Sequence, residues 1–201
     1  TEAITYYEKF KRIATPLQLQ NFEIDLNIQM CRNAVNLPDK SDRYLINDKK
    51  IVDEGQFLTL YQLDPLRDGK ILVMTDEYKS VADKKKNEKQ YLFLDPSSSK
   101  LYFSSRGIDG EQSSDLMLSI KKIKKWDKAT KLKEANSKYD EINPTAAKDG
   151  KIIYFSAKSP QSMGGFDIFK MEYNAESGTY GKPENVGAPV NSPFDDFLYA
   201  S

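Results

Sequence analysis

The side chains that could do chemistry in this chain are mostly acidic, and they come in echoes. Asp115 and Asp167 each open an apolar run, in DLMLSI and DIFKMEY, and Asp140-Glu141 finds a counterpart in Asp195-Asp196. A metal or catalytic role would single out one carboxylate, whereas carboxylates recurring in register read as caps for turn amides or as contacts between repeated units. Adjacent carboxylates on an extended strand point to opposite faces, which suits a two-carboxylate glycosidase pair poorly. The stretch GIDGEQSSD (107–115) spaces Asp109, Glu111 and Asp115 around Gly110 in a way that resembles a calcium loop. It lacks both the length and the terminal bidentate Glu of an EF-hand, so it reads as a solvated hairpin loop.

Two further groups could hold a partner. Ser162, Met163, Gly164 and Gly165 form an SMGG loop between two aromatic strands, a place where small residues let a ligand or another backbone approach closely. Lys121, Lys122, Lys124 and Lys125 surround Trp126, a composition suited to an anionic partner through charge and stacking; as an outer strand, the same lysines would instead guard an exposed edge.

The composition excludes several chemistries. There is no histidine, which removes Ser-His-Asp and Cys-His nucleophiles, imidazole bases and His-ligated zinc together. The single cysteine, Cys31, has no intramolecular partner and lies in an apolar run, where a free thiol packs as a small hydrophobe. Thirty basic and thirty acidic residues cancel, so no long-range field steers the chain to nucleic acid. No apolar run is long enough for a transmembrane segment, and no cofactor motif is present. The start at Thr1, without methionine, reads as a fragment or a processed product.

Those residues must be positioned by two kinds of element. In residues 1–37, Ala3, Tyr7, Phe10 and Ala14 recur at helical spacing before Pro16. The run 21–37 alternates like a strand at Phe22, Ile24, Leu26, Ile28 and Met30 but fits a helix through Ile24, Ile28, Cys31 and Val35. The spacing predicts a helical hairpin, the end of a helical-repeat segment. Residues 38–201 read as strands at 57–63, 70–75, 90–95, 100–105, 115–120, 140–146, 151–157 and 166–173. A less regular strand is expected near 180–187, and ADKKKNEK (82–89) reads as a solvated hairpin tip.

The strands repeat. Leu101-Tyr102-Phe103-Ser104 matches Ile153-Tyr154-Phe155-Ser156 at an offset of 52, and Asp115-Leu116 matches Asp167-Ile168 at the same offset. Trp126 then falls opposite Tyr180, and residues 136–141 opposite 191–196. A weaker third copy starts at Asp68-Gly69-Lys70, at an offset that does not fit the period. Units of about 40 to 55 residues with several short strands predict a mainly β fold of β-propeller blades, a partial or truncated propeller, with the clearest repeats at 97–146 and 147–201.

The stretch from Asp149 to Asp196 resembles a known family. Asp149-Gly150-Lys151 before Tyr154-Phe155, Gly164-Gly165 before Asp167-Ile168-Phe169, Tyr180 with Pro183, Asn185-Val186-Gly187, Pro189 to Ser192 and Asp195-Asp196 are similar to the TolB-type, WD-like propeller repeats of Bacteroidota cell-envelope proteins. The resemblance implies a non-enzymatic scaffold or protein-binding module, periplasmic or outer-membrane-associated, in a secretion or outer-membrane assembly with envelope proteins as partners. Such proteins often carry a helical-repeat segment before the propeller and an OmpA-like domain after it, so contact with peptidoglycan or another glycan is implied only through a region outside these 201 residues. Two alternatives stand beside it: a surface glycan-binding protein, marked by solvent-facing aromatics, or a propeller hydrolase using acidic and Tyr residues. The latter needs an arginine cluster or a carboxylate pair converging on the channel, and the arginines are only Arg12, Arg32, Arg43, Arg67 and Arg106.

Overall fold

A computed structural model of the chain describes residues 2–35, 49–53, 56–107 and 112–200. It is mainly β, two antiparallel sheets with few helices. The expected domain boundary near 37 and the Asp109–Glu111 part of the calcium-like loop lie outside the described residues.

The first sheet runs β1 (Lys70–Val73), β2 (Tyr91–Leu94), β3 (Lys100–Arg106), β4 (Ser114–Lys122), with β5 (Lys125–Trp126) and β6 (Thr130–Lys131) both on β4. The second runs β7 (Glu141–Ala146), β8 (Ile152–Ala157), β9 (Asp167–Asn174), with β10 (Thr179–Tyr180) and β11 (Glu184–Asn185) both on β9. The two sheets share one register through their common strands. Leu101 pairs with Ser119 and Ile153 with Met171; Lys121 pairs with Trp126 and Tyr173 with Tyr180; Met117 pairs with Lys131 and Phe169 with Asn185. The sequence repeat is therefore a structural one. Asp68-Gly69-Lys70 does not open a third sheet among the described residues: it leads into β1, which adds to the edge of the first through Lys70 opposite Leu94.

Alternation along the strands sorts their side chains into two faces. Tyr102 and Leu116 of the first sheet meet Ile153, Phe155, Phe169 and Met171 of the second in one continuous core, with Phe93 and Leu132 closing it. The opposite face of the first sheet, Leu101, Phe103 and Met117, packs with Leu92 and Met74 under Tyr78 and Trp126. These three residues occupy the strand positions of Ile153, Phe155 and Phe169, so the face that buries the second sheet against the first is, in the first sheet, covered by its own loops.

One strand and one hairpin expectation are corrected. Residues 57–60 form a 3-10 helix, not the start of a strand, because Phe57 turns in to meet Tyr91 edge-on at 5.1 Å. The lysine-rich run is a short helix, α4 (Val81–Lys86), rather than a hairpin tip. Ser80 and Asp83 cap each other reciprocally at its start, and buried Asp83 also accepts from Ser105 Oγ at 2.7 Å, Gln90 Nε2 at 2.9 Å and Arg106 N at 3.0 Å. These bonds outweigh burial and hold the Asp83 carboxyl below its usual range, although burial is the largest single effect on it and acts upward.

At the N-terminus, α1 (Glu2–Ile13) and α3 (Ile24–Val35) pack on each other, joined by α2 (Pro16–Asn21), which Thr15 opens with a capping box. Tyr7, Phe10 and Ala14 are half-buried, while Ala3 is exposed. In α3 the fully buried residues are Ile24, Leu26, Ile28 and Met30.

Candidate functional site

The SMGG loop joins β8 to β9 and is held from below by Asp167, the first residue of β9. The Asp167 carboxylate accepts from Met163 N at 2.9 Å, Gly164 N at 3.4 Å and Asn185 Nδ2 at 2.8 Å. Burial nevertheless pushes its pKa up, beyond what these bonds restore. Ser162 is wholly enclosed: its hydroxyl donates to Ala157 O at 3.0 Å and accepts from Ser159 N at 3.1 Å. Met163 is buried too, so Ser162 and Met163 shape the loop from within.

Gly164 and Gly165 are half-buried, and their lack of a Cβ has a definite cause. A Cβ on Gly164 would stand 2.5 Å from Phe194 O and 2.6 Å from Pro193 C, and one on Gly165 would overlap the Asp195 carboxylate. That carboxylate accepts from Phe166 N at 2.9 Å. The glycine pair thus lets residues 193–195 lie directly on the loop.

The helices close the other side. Asn33 Nδ2 donates to Pro160 O and Ser162 O, both at 2.8 Å, and Lys158 pairs with Glu23 at 2.6 Å. Between α1, α3 and the loop runs a cleft of about 690 Å³, with Tyr7, Met30, Cys31 and Val35 on one wall and Met163, Gly164 and Gly165 on the other. Phe194 stands at its rim, 77% exposed. Sequence reasoning selected the glycines but missed Asn33 and Phe194. The available signal was that Phe194 falls opposite Tyr139 in the repeat, an aromatic just before each acidic pair.

The lysine group sits at the far end of the strands. Lys121, Lys122, Lys124 and Lys125 are exposed around the β4–β5 turn; Lys121 Nζ lies 5.6 Å from the Trp126 ring centroid and Lys122 pairs with Asp127 at 2.6 Å. Trp126 is half-buried against the Phe103 cluster. The turn is tipped by Ile123, 97% exposed and in a left-handed conformation with φ 55°.

The echoed carboxylates do the same work in both sheets. Asp140 accepts from Ser114 N at 2.7 Å, as Asp195 does from Phe166 N, and it also holds Arg106 Nη1 at 2.8 Å. Glu141 takes the amide and hydroxyl of Ser137, and Asp196 those of Ser192. Asn136 bridges the amide and carbonyl of Leu116, and Asn191 those of Ile168. Asp115, matching Asp167, is paired with Lys131 at 2.9 Å, and Lys131 occupies the place of Asn185. Among the described residues no group of three or more His, Cys, Asp or Glu side chains could hold a metal ion, and no helix is long and apolar enough to cross a membrane.

Comparison with protein families, with curated proteins and with solved structures finds no match for this chain.

Proposed function

We propose that this chain is a non-enzymatic scaffold or protein-binding module of the bacterial cell envelope, periplasmic or outer-membrane-associated, whose two sheets are β-propeller blades preceded by the end of a helical-repeat segment. The observation that carries the reading is the cleft between α3 and the SMGG loop, where an exposed Phe194 overhangs apolar walls built from both elements. Exposed aromatic anchors over a concave apolar surface are what protein partners engage. The acidic groups support it from the other side, because each echoed carboxylate is engaged by backbone amides, serines, side-chain amides or cations of its own unit. The Lys121–Lys125 turn offers a second contact, for an anionic face of the partner.

A photo-crosslinking residue at position 194 tests this in a cell-envelope preparation. The expected result is one discrete adduct with an envelope protein, lost when Gly164→Ala displaces residues 193–194. No adduct, together with hydrolysis of a glycoside or peptide that one acidic substitution abolishes, would overturn the proposal in favour of an enzyme.

A further inference from the structure

One polar contact of the second sheet is missing from the first, beside a cavity. In the second sheet, Ser156 Oγ donates to the Phe197 carbonyl at 2.6 Å. Its counterpart 52 residues earlier is Ser104 on β3, and the counterpart of Phe197 is Ile142 on β7. That second bond is not made. Strand β7 bulges between Ile142 and Thr145, with Asn143 left-handed at φ 51°, and Asn143 Nδ2 turns to Phe197 O at 2.9 Å. The Ser104 hydroxyl consequently makes no hydrogen bond among the described residues, although the residue is only 3% exposed.

Ser114 repeats the situation. It stands opposite Arg106 in the register, hence on the same face as Ser104, is 1% exposed, and its hydroxyl is equally unpaired among the described residues. A third group, Gln90 Oε1, is buried without a partner while its amide nitrogen is fixed by Asp83. All three residues line one cavity of about 390 Å³, together with Phe57, Phe197 and Asn143. Nearly all buried polar groups are hydrogen-bonded in folded proteins, so a buried Gln90 Oε1 with no partner, beside two serine hydroxyls available to bond, calls for an occupant of this void.

The chemistry of the lining narrows that occupant. Hydroxyls and amides both donate and accept, and the charges lining the cavity are engaged elsewhere: Arg106 holds Asp140 and Gln112 O, Glu88 pairs with Lys86 at 3.0 Å, and Lys89 Nζ lies 5.8 Å from the Tyr91 ring centroid. A ligand with many hydroxyls, no net charge and an apolar ring face to lie against a phenyl group meets these conditions. The volume is at the small end of ligand pockets, roughly 300–1,000 Å³. We infer that the cavity between β3, β7 and Phe197 binds a neutral pyranose unit through Ser104, Ser114, Gln90 and Asn143. This site is separate from the Phe194 cleft and does not depend on the scaffold reading.

The test titrates the full chain with glucose, galactose, mannose and N-acetylglucosamine, and with an uncharged blocked dipeptide as a control. Saturation-transfer NMR reads the contact and calorimetry the affinity. At least one sugar is expected to bind, and Ser104→Ala and Ser114→Ala are each expected to weaken it roughly 2- to 12-fold, the range for one hydrogen bond. The same variants should leave the thermal midpoint unchanged or slightly raised, since neither hydroxyl is bonded in the free protein. Absence of binding by all four sugars, binding of the dipeptide alone, sugar affinity untouched in both serine variants, or a clear loss of stability on removing either hydroxyl would each overturn the inference.

Discussion

Replacing Glu141 by glutamine should make the protein more stable at neutral and alkaline pH and leave it unchanged in mild acid. Glu141 opens β7 with only 2% of its surface exposed, and its carboxyl accepts from Ser137 Oγ at 2.6 Å and Ser137 N at 3.2 Å. Burial is the dominant influence, and the nearby Asp115 and Asp140 carboxylates add to it; the two serine bonds offset only part, so the pKa is pushed from its ordinary 4.5 up to about 7. A carboxyl with a raised native pKa contributes its full stability below the unfolded value and loses it as pH climbs through the native one. The shift corresponds to about 3 kcal/mol between pH 4.5 and pH 8, at ~1.4 kcal/mol per unit. A glutamine reproduces the protonated acid, accepting from Ser137 N and donating from Nε2 to Ser137 Oγ, without the buried charge. Urea denaturation of parent and Glu141→Gln proteins at pH 5, 6, 7 and 8 measures the effect. Other carboxyls titrate with the opposite slope, Asp83 and Asp95 among them, so only the difference between the two proteins isolates Glu141. A difference that is flat with pH, or a glutamine variant weaker at pH 8, would refute the reasoning and show that the serine bonds are specific to the anion.

Gly164→Ala should cost about 2–3 kcal/mol, because the new methyl meets backbone atoms of residues 193 and 194 that cannot swing aside, while Gly165→Ala displaces only the Asp195 side chain and costs about 1 kcal/mol; thermal midpoints in the reverse order would contradict the packing. Asn191→Ala removes a buried bridge that serves both the amide and the carbonyl of Ile168, and a loss of about 2–4 kcal/mol by denaturant titration is expected, with a loss below 1 kcal/mol counting against it. Ile123→Asn should stabilise by about 1 kcal/mol, since a β-branched residue is strained in its left-handed conformation at an exposed tip where it packs on nothing; an unchanged midpoint would mean that the turn relaxes.

Legibility from the sequence followed how a side chain's environment is set. The paired sheets were readable because Leu101-Tyr102-Phe103-Ser104 and Ile153-Tyr154-Phe155-Ser156 repeat types dictated by local alternation and by one face-to-face packing mode. The 57–60 turn was not readable, since FLTL has strand-forming residues while the Phe57 ring packs edge-on against both Tyr61 and the distant Tyr91. In α4 the lysines suggested a solvated tip, and the Ser80–Asp83 capping box just before them was the overlooked signal. The SMGG loop was selected for its glycines, but no local pattern says that the backbone needing the space lies far along the chain, at Pro193 and Phe194.

The ambiguity in α3 has a physical source of its own. On a straight helix, Ile24 and Ile28 lie on one side and Leu26 and Met30 nearly opposite, because two residues span about 200°. All four are buried, which requires cover from two directions: α1 packs along the helix, and Asn33 and the Glu23–Lys158 pair tie it to the β8–β9 loop. A helix buried on both sides shows a period of two in its apolar residues, the same period a strand shows. The strand-like alternation of Phe22-Ile24-Leu26-Ile28-Met30 was therefore a record of two partners rather than a wrong element, and it located the helix–sheet junction at which Phe194 overhangs the cleft. Cover from both sides has a mutational consequence: Leu26→Asn and Ile28→Asn should each destabilise by about 2–3 kcal/mol in urea denaturation, whereas a helix covered on one side would tolerate one of them.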